Sequence, residues 1–251
     1  MDLKELQRNW TLYGNEDPLW AILTSSSKKG NKWDVQEFFV TGEIDIKNLV
    51  EYINSMDYTL QFGKALDFGC GVGRLTQALA NYFDVCIGVD ISPAMIENAR
   101  KFNNKGERCK YFLNESSSLS FIKEDSIDFI YSKLVLQHIE PKYSKGYIQE
   151  FLRVLKPGGL LVFQIPSTLL PNQSKVFGFV IPDRMIRFLE RGILGLQKLR
   201  AKIKKKPIME FWGIQKTEVI DIIHDNKGKL IRIDSNNDCP PWESYLYFVT
   251  K

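Results

Sequence analysis

Three glycines and one acid have the types and the spacing that suit a nucleoside-binding site. The segment ALDFGCGVGRL, residues 65–75, carries a short apolar run into a turn with glycines at positions 69, 71 and 73. Gly69 and Gly71 remove side chains from this turn, so a ligand can approach the backbone closely. Asp90 ends the next apolar run, where a carboxylate can accept hydrogen bonds from both ribose hydroxyls. This pattern predicts a site for an adenosine-containing ligand.

The spacing of the glycines separates this loop from a dinucleotide site. The dinucleotide fingerprint requires GxGxxG, whereas the glycines here run GxGxG and Leu75 follows Arg74. The start of the next helix is therefore less suited to a pyrophosphate. A plain connecting turn is the simpler interpretation, but three glycines followed by a strand-end acid argue against it.

Four segments resemble the successive motifs of class I S-adenosylmethionine-dependent methyltransferases in order and spacing. They read LDFGCGVGRLTQALA, GVDISPAMIENAR, SIDFIYSKLVLQHI and FLRVLKPGGLLVFQIPS, and they cover roughly residues 60–166. On the flanks, WDVQEFFVTGE and WESYLYFVTK look like the start and end of bacterial small-molecule methyltransferases. The resemblance implies S-adenosylmethionine as cofactor and a methyl-transfer reaction.

The resemblance also implies which residues hold the cofactor. Asp67 would lie near the methionine amino group, Asp90 would hold the ribose hydroxyls, and Ile91 and Met95 would border the adenine. Many relatives place an Asp where Ser118 stands here, although a serine hydroxyl can still accept a hydrogen bond. The predicted cofactor-binding set is Asp67, Gly69, Cys70, Gly71, Gly73, Asp90, Ile91, Met95, Ser117, Ser118, Leu119 and Phe39.

One histidine is placed for proton transfer. Methyl transfer to oxygen or nitrogen needs a base when the acceptor has a high pKa. His138 follows the apolar run 127–132, near the carboxyl ends of the strands where ligands gather in open α/β folds. It is the candidate catalytic base; the alternative is a structural residue that bonds a backbone carbonyl. No metal site is predicted, because neither histidine has a partner at ligand spacing.

Composition bounds the class of protein. The chain has 251 residues, of which 44% are hydrophobic and 25% charged, which suits a single packed domain. A net charge of +4 is too small to argue for a nucleic-acid partner. No apolar run reaches the roughly 18 residues that a bilayer requires. Four separate cysteines without a CxxC pair suit a reducing compartment, so we expect a cytoplasmic protein.

Alternating strand-like and helix-like segments predict the fold. The pattern indicates a Rossmann-like, doubly wound α/β domain with seven mostly parallel strands, the last one antiparallel. The single domain 1–251 divides into an N-terminal helical cap at 1–60, a cofactor-binding core at 61–166, a helical insertion or substrate lid at 167–210, and C-terminal strands at 211–251. Within the cap, Trp33, Phe38 and Phe39 form either an aromatic lid over the cofactor or ordinary packing on the sheet edge.

The insertion contains a basic amphipathic segment at residues 184–206. Nine basic residues and one acid give it a net charge of +8, and apolar residues recur at steps of three and four. Two interpretations stay open. The segment contacts an anionic membrane surface, or its apolar stripe packs on the domain as part of a substrate lid.

Taken together, the sequence predicts an S-adenosylmethionine-dependent methyltransferase that acts on a small or lipid-like acceptor, with oxygen as the expected atom. Two alternatives are a cofactor-binding module without catalysis and a different Rossmann nucleotide-binding enzyme. The glycine spacing argues against the second alternative.

Overall fold

The centre of the fold is a seven-stranded sheet. The computed structural model describes residues 1–56, 58–170, 175–176, 179–180 and 206–251. The strands in chain order are β1 (Lys64–Phe68), β2 (Val85–Asp90), β3 (Cys109–Leu113), β4 (Ile127–Ser132), β5 (Leu155–Leu169), β6 (Lys175–Val176), β7 (Phe179–Val180), β8 (Lys229–Asn236) and β9 (Trp242–Thr250). Strands β6 and β7 pair only with each other, and the other seven form the sheet in the order β3-β2-β1-β4-β5-β9-β8.

The pairing of the strands explains their composition. Strands β1 to β5 run parallel, and β9 enters antiparallel between β5 and β8. Helices cover both faces of a parallel sheet, so its central strands become continuous apolar runs. All six residues of β4 are buried, as are the last four of β1.

In the described part of the chain, seven α-helices surround the sheet. Each of the first three has an aspartate at its N-cap, and in two of them, at Asp2 and Asp34, the carboxylate accepts a hydrogen bond from a first-turn amide. Ser92 caps another helix in the same way, with Pro93 at its first position. The helices are α1 (Leu3–Glu16), α2 (Pro18–Ile22), α3 (Val35–Asn54), α4 (Arg74–Leu79), α5 (Pro93–Phe102), α6 (Pro141–Val154) and α7 (Lys216–Asp225).

Two apolar cores lie on opposite faces of the sheet. One includes Leu66 and Ile130 from the strands, with Phe151 of α6 and Val219 of α7. The other joins strand residues to α3 and α4. A third cluster, around Phe38, Val72 and Met95, attaches the N-terminal helices to the edge of the glycine loop.

The predicted fold class is confirmed, including the antiparallel last strand. Strand β5 extends back through residues 157–159, because Leu155 pairs with Ile127 of β4. The proposed division of the chain into cap, core, insertion and C-terminal strands stays a prediction. The basic segment 184–206, apart from Lys206, lies outside the described residues. Within the described ranges, no helix combines the length and apolar character needed to cross a bilayer.

Candidate cofactor and acceptor site

A cavity lies where the order of the parallel strands reverses. Chain order runs outward from β1 through β2 to β3 on one side, and from β4 to β5 on the other. Crossover connections leave a crevice at such a point, beyond the carboxyl ends of the strands. The cavity found there has about 1100 Å³ of empty space, its open mouth included. Helix α1 contributes Leu6 and Trp10 to its lining, and α2 contributes Ala21 and Ile22.

The glycine loop shapes one end of this cavity. Gly69 and Gly71 have φ values of +76° and +53°, in the left-handed region that favours glycine. A Cβ on Gly71 would lie 2.5 Å from Cδ1 of Ile22, across the cavity. A Cβ on Gly69 would lie 2.3 Å from the side chain of Val135. Both glycines are therefore favoured by backbone conformation, and Gly69 is also required by the close approach of Val135.

Asp90 braces the glycine loop from the end of β2. Its carboxylate accepts hydrogen bonds from the amide of Gly71 at 2.9 Å and from the amide of Ser92 at 2.8 Å, one on each oxygen. Each carboxylate oxygen can accept a second hydrogen bond. Burial raises the pKa of Asp90 to about 6, against the opposing effect of these backbone donors.

Asp67 is a second carboxylate at the cavity, one residue before the end of β1, and unlike the partly exposed Asp90 it is buried. Its side chain is only 2% exposed and accepts a 2.6 Å hydrogen bond from the hydroxyl of Thr76. Burial raises its pKa to about 6, and the Thr76 hydroxyl and the charge of Arg74 oppose that rise. Two carboxylates that are costly to ionise thus face one cavity, an arrangement typical of functional sites.

Arg74 places a buried cation beside them. Its guanidinium is 4% exposed and lines the cavity at the start of α4. Nη1 donates to the hydroxyl of Thr41 at 3.1 Å and to the carboxylate of Asp45 at 2.8 Å, both on α3. Nε has no hydrogen-bond partner among the described residues. A buried donor in that state is costly unless a ligand accepts its hydrogen.

The other end of the cavity lies beyond β4 and is built from rings. The imidazole of His138 lies between the indole of Trp10 and the ring of Phe211, with centroid distances of 5.3 and 4.7 Å. Both contacts are edge-to-face. Met209 and Ile139 add further apolar surface to this end.

Both ring nitrogens of His138 are already engaged by the protein. Nδ1 lies 2.9 Å from the carbonyl oxygen of Glu210, which can only accept, so Nδ1 carries the proton. Nε2 lies 3.2 Å from the amide nitrogen of Gln137, which can only donate. Burial lowers the pKa of His138 to about 4. The imidazole is therefore neutral at physiological pH, and its lone pair points at a donor.

A buried network of hydrogen bonds, which we call the polar relay, holds the loop that carries His138 in place. The thiol of Cys239 donates to Oε1 of Gln137 at 2.6 Å, and the amide of Gln164 donates to Oγ of Ser244 at 2.6 Å. Oε1 of Gln164 accepts the backbone N–H of Leu134 at 3.0 Å, where φ is +62°. The relay fixes this loop to β5 and to the segment leading into β9, so the ring end of the cavity is preformed.

Comparison with known proteins gives the family. Residues 66–163 match the family model described as a methyltransferase domain. Over these residues the chain contains a methyltransferase domain, similar to those of S-adenosylmethionine-dependent methyltransferases. The cofactor of this methyltransferase is S-adenosylmethionine.

Two curated relatives illustrate the similarity. The methyltransferase is 29% identical over 154 residues to 2-methyl-6-phytyl-1,4-hydroquinone methyltransferase of Synechocystis sp., covering 61% of this chain and 47% of that one. It is 24% identical over 177 residues to the ubiquinone biosynthesis O-methyltransferase of Thiobacillus denitrificans, covering 70% and 74%. The chain thus spans about half the length of the first of these relatives.

Solved structures agree on the fold. The magnesium protoporphyrin IX methyltransferase of Synechocystis PCC 6803, solved with bound S-adenosylhomocysteine, superposes with a TM-score of 0.62 at 15% identity. The match covers 100% of both chains. At this identity the similarity establishes the shared architecture.

The cavity of the methyltransferase gathers most of the predicted site residues. His138 lines it, together with seven of the predicted cofactor-binding residues: Asp67, Gly69, Cys70, Gly71, Asp90, Ile91 and Met95. The other five predicted residues, Gly73, Ser117, Ser118, Leu119 and Phe39, do not line it.

Packing explains where those five residues lie. A Cβ on Gly73 would lie 2.5 Å from the hydroxyl of Tyr111, so this glycine serves the packing of α4 on β3. Leu119 is fully buried in the core beneath α6. Ser117 and Ser118 lie on a largely exposed turn, where Ser118 contacts Ser116. Phe39 packs edge-to-face on Phe38 and Phe102, which is the sheet-edge packing rather than the cavity lid.

Several lining residues were missed by sequence reasoning. Asn114, directly after β3, lines the cavity where the serine turn was expected to. The cap over the cavity comes from α1, whose Gln7 donates to the carbonyl of Ile91 at 3.2 Å. The sequence signal for α1 was its amphipathic pattern, with Leu6 and Trp10 four residues apart. Nothing in that pattern says which surface the apolar face covers.

Proposed function

We propose that this chain transfers the methyl group of S-adenosylmethionine to a small or amphiphilic acceptor, at an oxygen atom. The observation that carries the proposal is the continuity of one cavity, from the glycine loop and its two carboxylates to the ring cluster beyond β4. A cofactor and an acceptor bound at its two ends would meet near the carboxyl ends of β1 and β4.

The residues present fit the cofactor. Gly69 and Gly71 line the cavity without side chains, so a ligand can approach the backbone of the loop closely. Asp90 keeps acceptor capacity on both carboxylate oxygens for two ribose hydroxyls. Asp67 is an anionic partner for the methionine ammonium, and Ile91 and Met95 offer apolar surface to the adenine.

Arg74 completes the recognition of the amino acid. The guanidinium lies near Asp67, as its effect on the pKa of that carboxyl indicates. Its Nε–H has no partner in the described part of the chain. A carboxylate accepts from guanidinium donors with charge-assisted geometry. We assign the methionine carboxylate to Arg74 and the ammonium to Asp67, a cation and an anion matched to a zwitterion.

The protein's part in the reaction is mainly positioning. S-adenosylmethionine supplies a methyl group already activated on a sulfonium. The glycine loop and Asp90 hold one reactant, while the rings of Trp10, His138 and Phe211 hold the acceptor and exclude water. Because both nitrogens of His138 are engaged, we assign this residue to the wall of the acceptor end. The proton of the acceptor hydroxyl leaves to solvent through the open mouth of the cavity.

Relatives support an amphiphilic acceptor. Those named above include a methyltransferase for a phytylated hydroquinone and an O-methyltransferase of ubiquinone biosynthesis. The apolar lining of the acceptor end suits a substrate of that kind better than a sugar or an amino acid.

Two measurements test the proposal. Calorimetry with S-adenosylhomocysteine and with NAD should give binding of the first alone. Transfer of labelled methyl from S-adenosylmethionine should then be followed with hydroquinones and catechols as acceptors. Binding of NAD instead would indicate a different Rossmann enzyme. Binding of S-adenosylhomocysteine without transfer to any hydroxylated acceptor would indicate a binding module.

A further inference from the structure

Phe211 stands out because it is a large apolar side chain that lines the cavity yet remains 44% exposed. We propose that Phe211, with His138 and Trp10, grips a flat aromatic acceptor, and that Phe211 is the residue that selects this class of substrate. The proposal rests on the proposed function, since it names what the acceptor end of the same cavity takes.

The backbone holds Phe211 from both sides. The carbonyl of the preceding residue, Glu210, accepts from Nδ1 of His138 at 2.9 Å. The amide of the following residue, Trp212, donates to the carbonyl of Gln137 at 2.7 Å. Two hydrogen bonds therefore fix the segment to the loop after β4, one on each side of Phe211. Its ring is presented by a fixed backbone, as expected of a preorganised binding residue.

The three rings form a surface that suits another ring. The imidazole plane of His138 makes an angle of 64° with the ring of Trp10 and of 65° with the ring of Phe211, so both pairs pack edge-to-face. Aromatic pairs in such tilted arrangements gain stability beyond the burial of their area. A flat ring entering beside Phe211 would extend the same packing and cover its exposed surface.

The polar groups near these rings are largely committed to the protein. Both nitrogens of His138 are engaged. The loop after β4 also contributes a charged residue, Lys133, to the cavity lining. The Nζ atom of Lys133 lies 3.7 Å from the carboxylate of Asp238. This end therefore offers ring faces and edges rather than hydrogen bonds. A sugar or a polyanion would lose its hydration here without replacement, whereas an aromatic acceptor would not.

The test compares two probes of similar shape. Protein saturated with S-adenosylhomocysteine is titrated with 2-naphthol and with its saturated counterpart, decahydro-2-naphthol. NMR of the histidine ring protons reports the site, because the chain has two histidines and a His224→Gln variant assigns the signal of His138. We expect 2-naphthol to bind about 3- to 10-fold more tightly than the saturated probe, and to shift the signal of His138.

Variants at two phenylalanines decide which residue makes the selection. Phe211→Leu keeps an apolar side chain and should remove the preference for 2-naphthol, while Phe211→Tyr should retain it. Phe112→Leu is the matched control, because Phe112 is 40% exposed on β3 and lies outside the cavity lining. S-adenosylhomocysteine affinity and the thermal unfolding midpoint check that each variant is folded.

The outcomes separate this proposal from the one beneath it. Absence of S-adenosylhomocysteine binding in the unmodified protein would contradict the proposed function. With that binding intact, equal affinity for the two probes would overturn the aromatic acceptor. A preference that survives in Phe211→Leu, or disappears equally in Phe112→Leu, would overturn the role of Phe211. If Phe211→Leu does not fold, loss of the preference in Phe211→Tyr would still contradict the proposal.

Discussion

The two ends of the cavity are built on different physical terms. At the glycine loop, two glycines leave the backbone open to a ligand, and two carboxylates, the buried Asp67 and the partly buried Asp90, each have a pKa raised to about 6. At the ring end, it supplies Trp10, His138 and Phe211, with the polar atoms of His138 satisfied internally. The polar groups at the glycine loop can still form hydrogen bonds with a ligand, whereas the ring end exposes apolar surface to the cavity.

This difference indicates how tightly each end constrains its ligand. Hydrogen bonds to charged groups are directional and penalise a wrong partner heavily. Ring surfaces accept any flat apolar group and discriminate modestly. We therefore expect substitutions at the glycine loop to have large effects on cofactor binding, and substitutions at the ring end to have smaller, graded effects on the acceptor.

Gly71→Val should produce the largest effect. A Cβ there meets Ile22 across the cavity, and a β-branched residue at a φ of +53° is strained. We expect affinity for S-adenosylhomocysteine to fall by at least about 100-fold, measured by calorimetry. Gly106→Val is the matched control, because Gly106 has a φ of +58° with open space around it. If both variants lost affinity for S-adenosylhomocysteine equally, backbone strain rather than the contact with Ile22 would be responsible for the loss.

Asp90→Ala should follow in size. The carboxylate braces the amide of Gly71 and has acceptor capacity left for the ribose hydroxyls. Losing hydrogen bonds to a charged group costs about 1.5–3 kcal/mol. We therefore expect the dissociation constant for S-adenosylhomocysteine to rise by about 10- to 100-fold. An unchanged constant would show that the ribose lies elsewhere.

The pH dependence of cofactor binding sharpens the comparison further. The pKa of Asp67 is about 6 in the free protein, and the methionine ammonium favours its ionised form. Affinity for S-adenosylhomocysteine should therefore rise with pH through about 6 and level off above it. Protonation of such a group at pH 5 weakens binding by about 10-fold. Asp67→Asn should remove the part of the pH dependence that comes from Asp67, so that only the part from Asp90 remains. A profile that is flat between pH 5 and 7.5 in the unmodified protein would contradict the assignment.

His138→Phe should have the smallest effect if the ring end acts through packing. The phenyl ring preserves the contacts with Trp10 and Phe211 but removes any proton acceptor. We expect methyl transfer to a hydroxylated acceptor to stay within about 10-fold of the unmodified rate, whereas loss of a general base costs about 100-fold or more. The ring signal of His138 should also show no titration between pH 5.5 and 8, since its pKa is about 4.

The sequence by itself determined the cofactor half of this protein. The apolar runs before the glycine turn, before Asp90 and at 127–132 form strands β1, β2 and β4, because short apolar runs bounded by polar or glycine residues are typical of buried parallel strands. Left-handed backbone at Gly69 and Gly71 requires glycine, so the residue type itself carries the structural information. The same local logic applies to Asp90 at the end of its strand.

Only the tertiary structure decided the acceptor half. Trp10, His138 and Phe211 are separated by more than 70 residues from one another along the chain, and no local periodicity says that they meet. The engaged nitrogens of His138 depend on the carbonyl of Glu210 and on a relay that reaches Cys239. Phe39 packs on Phe38 and Phe102 instead of lining the cavity. The residue type predicts that an aromatic ring will be buried, but only its neighbours in the fold determine where. Local sequence specifies backbone conformation, but contacts between distant segments are fixed only when the chain packs.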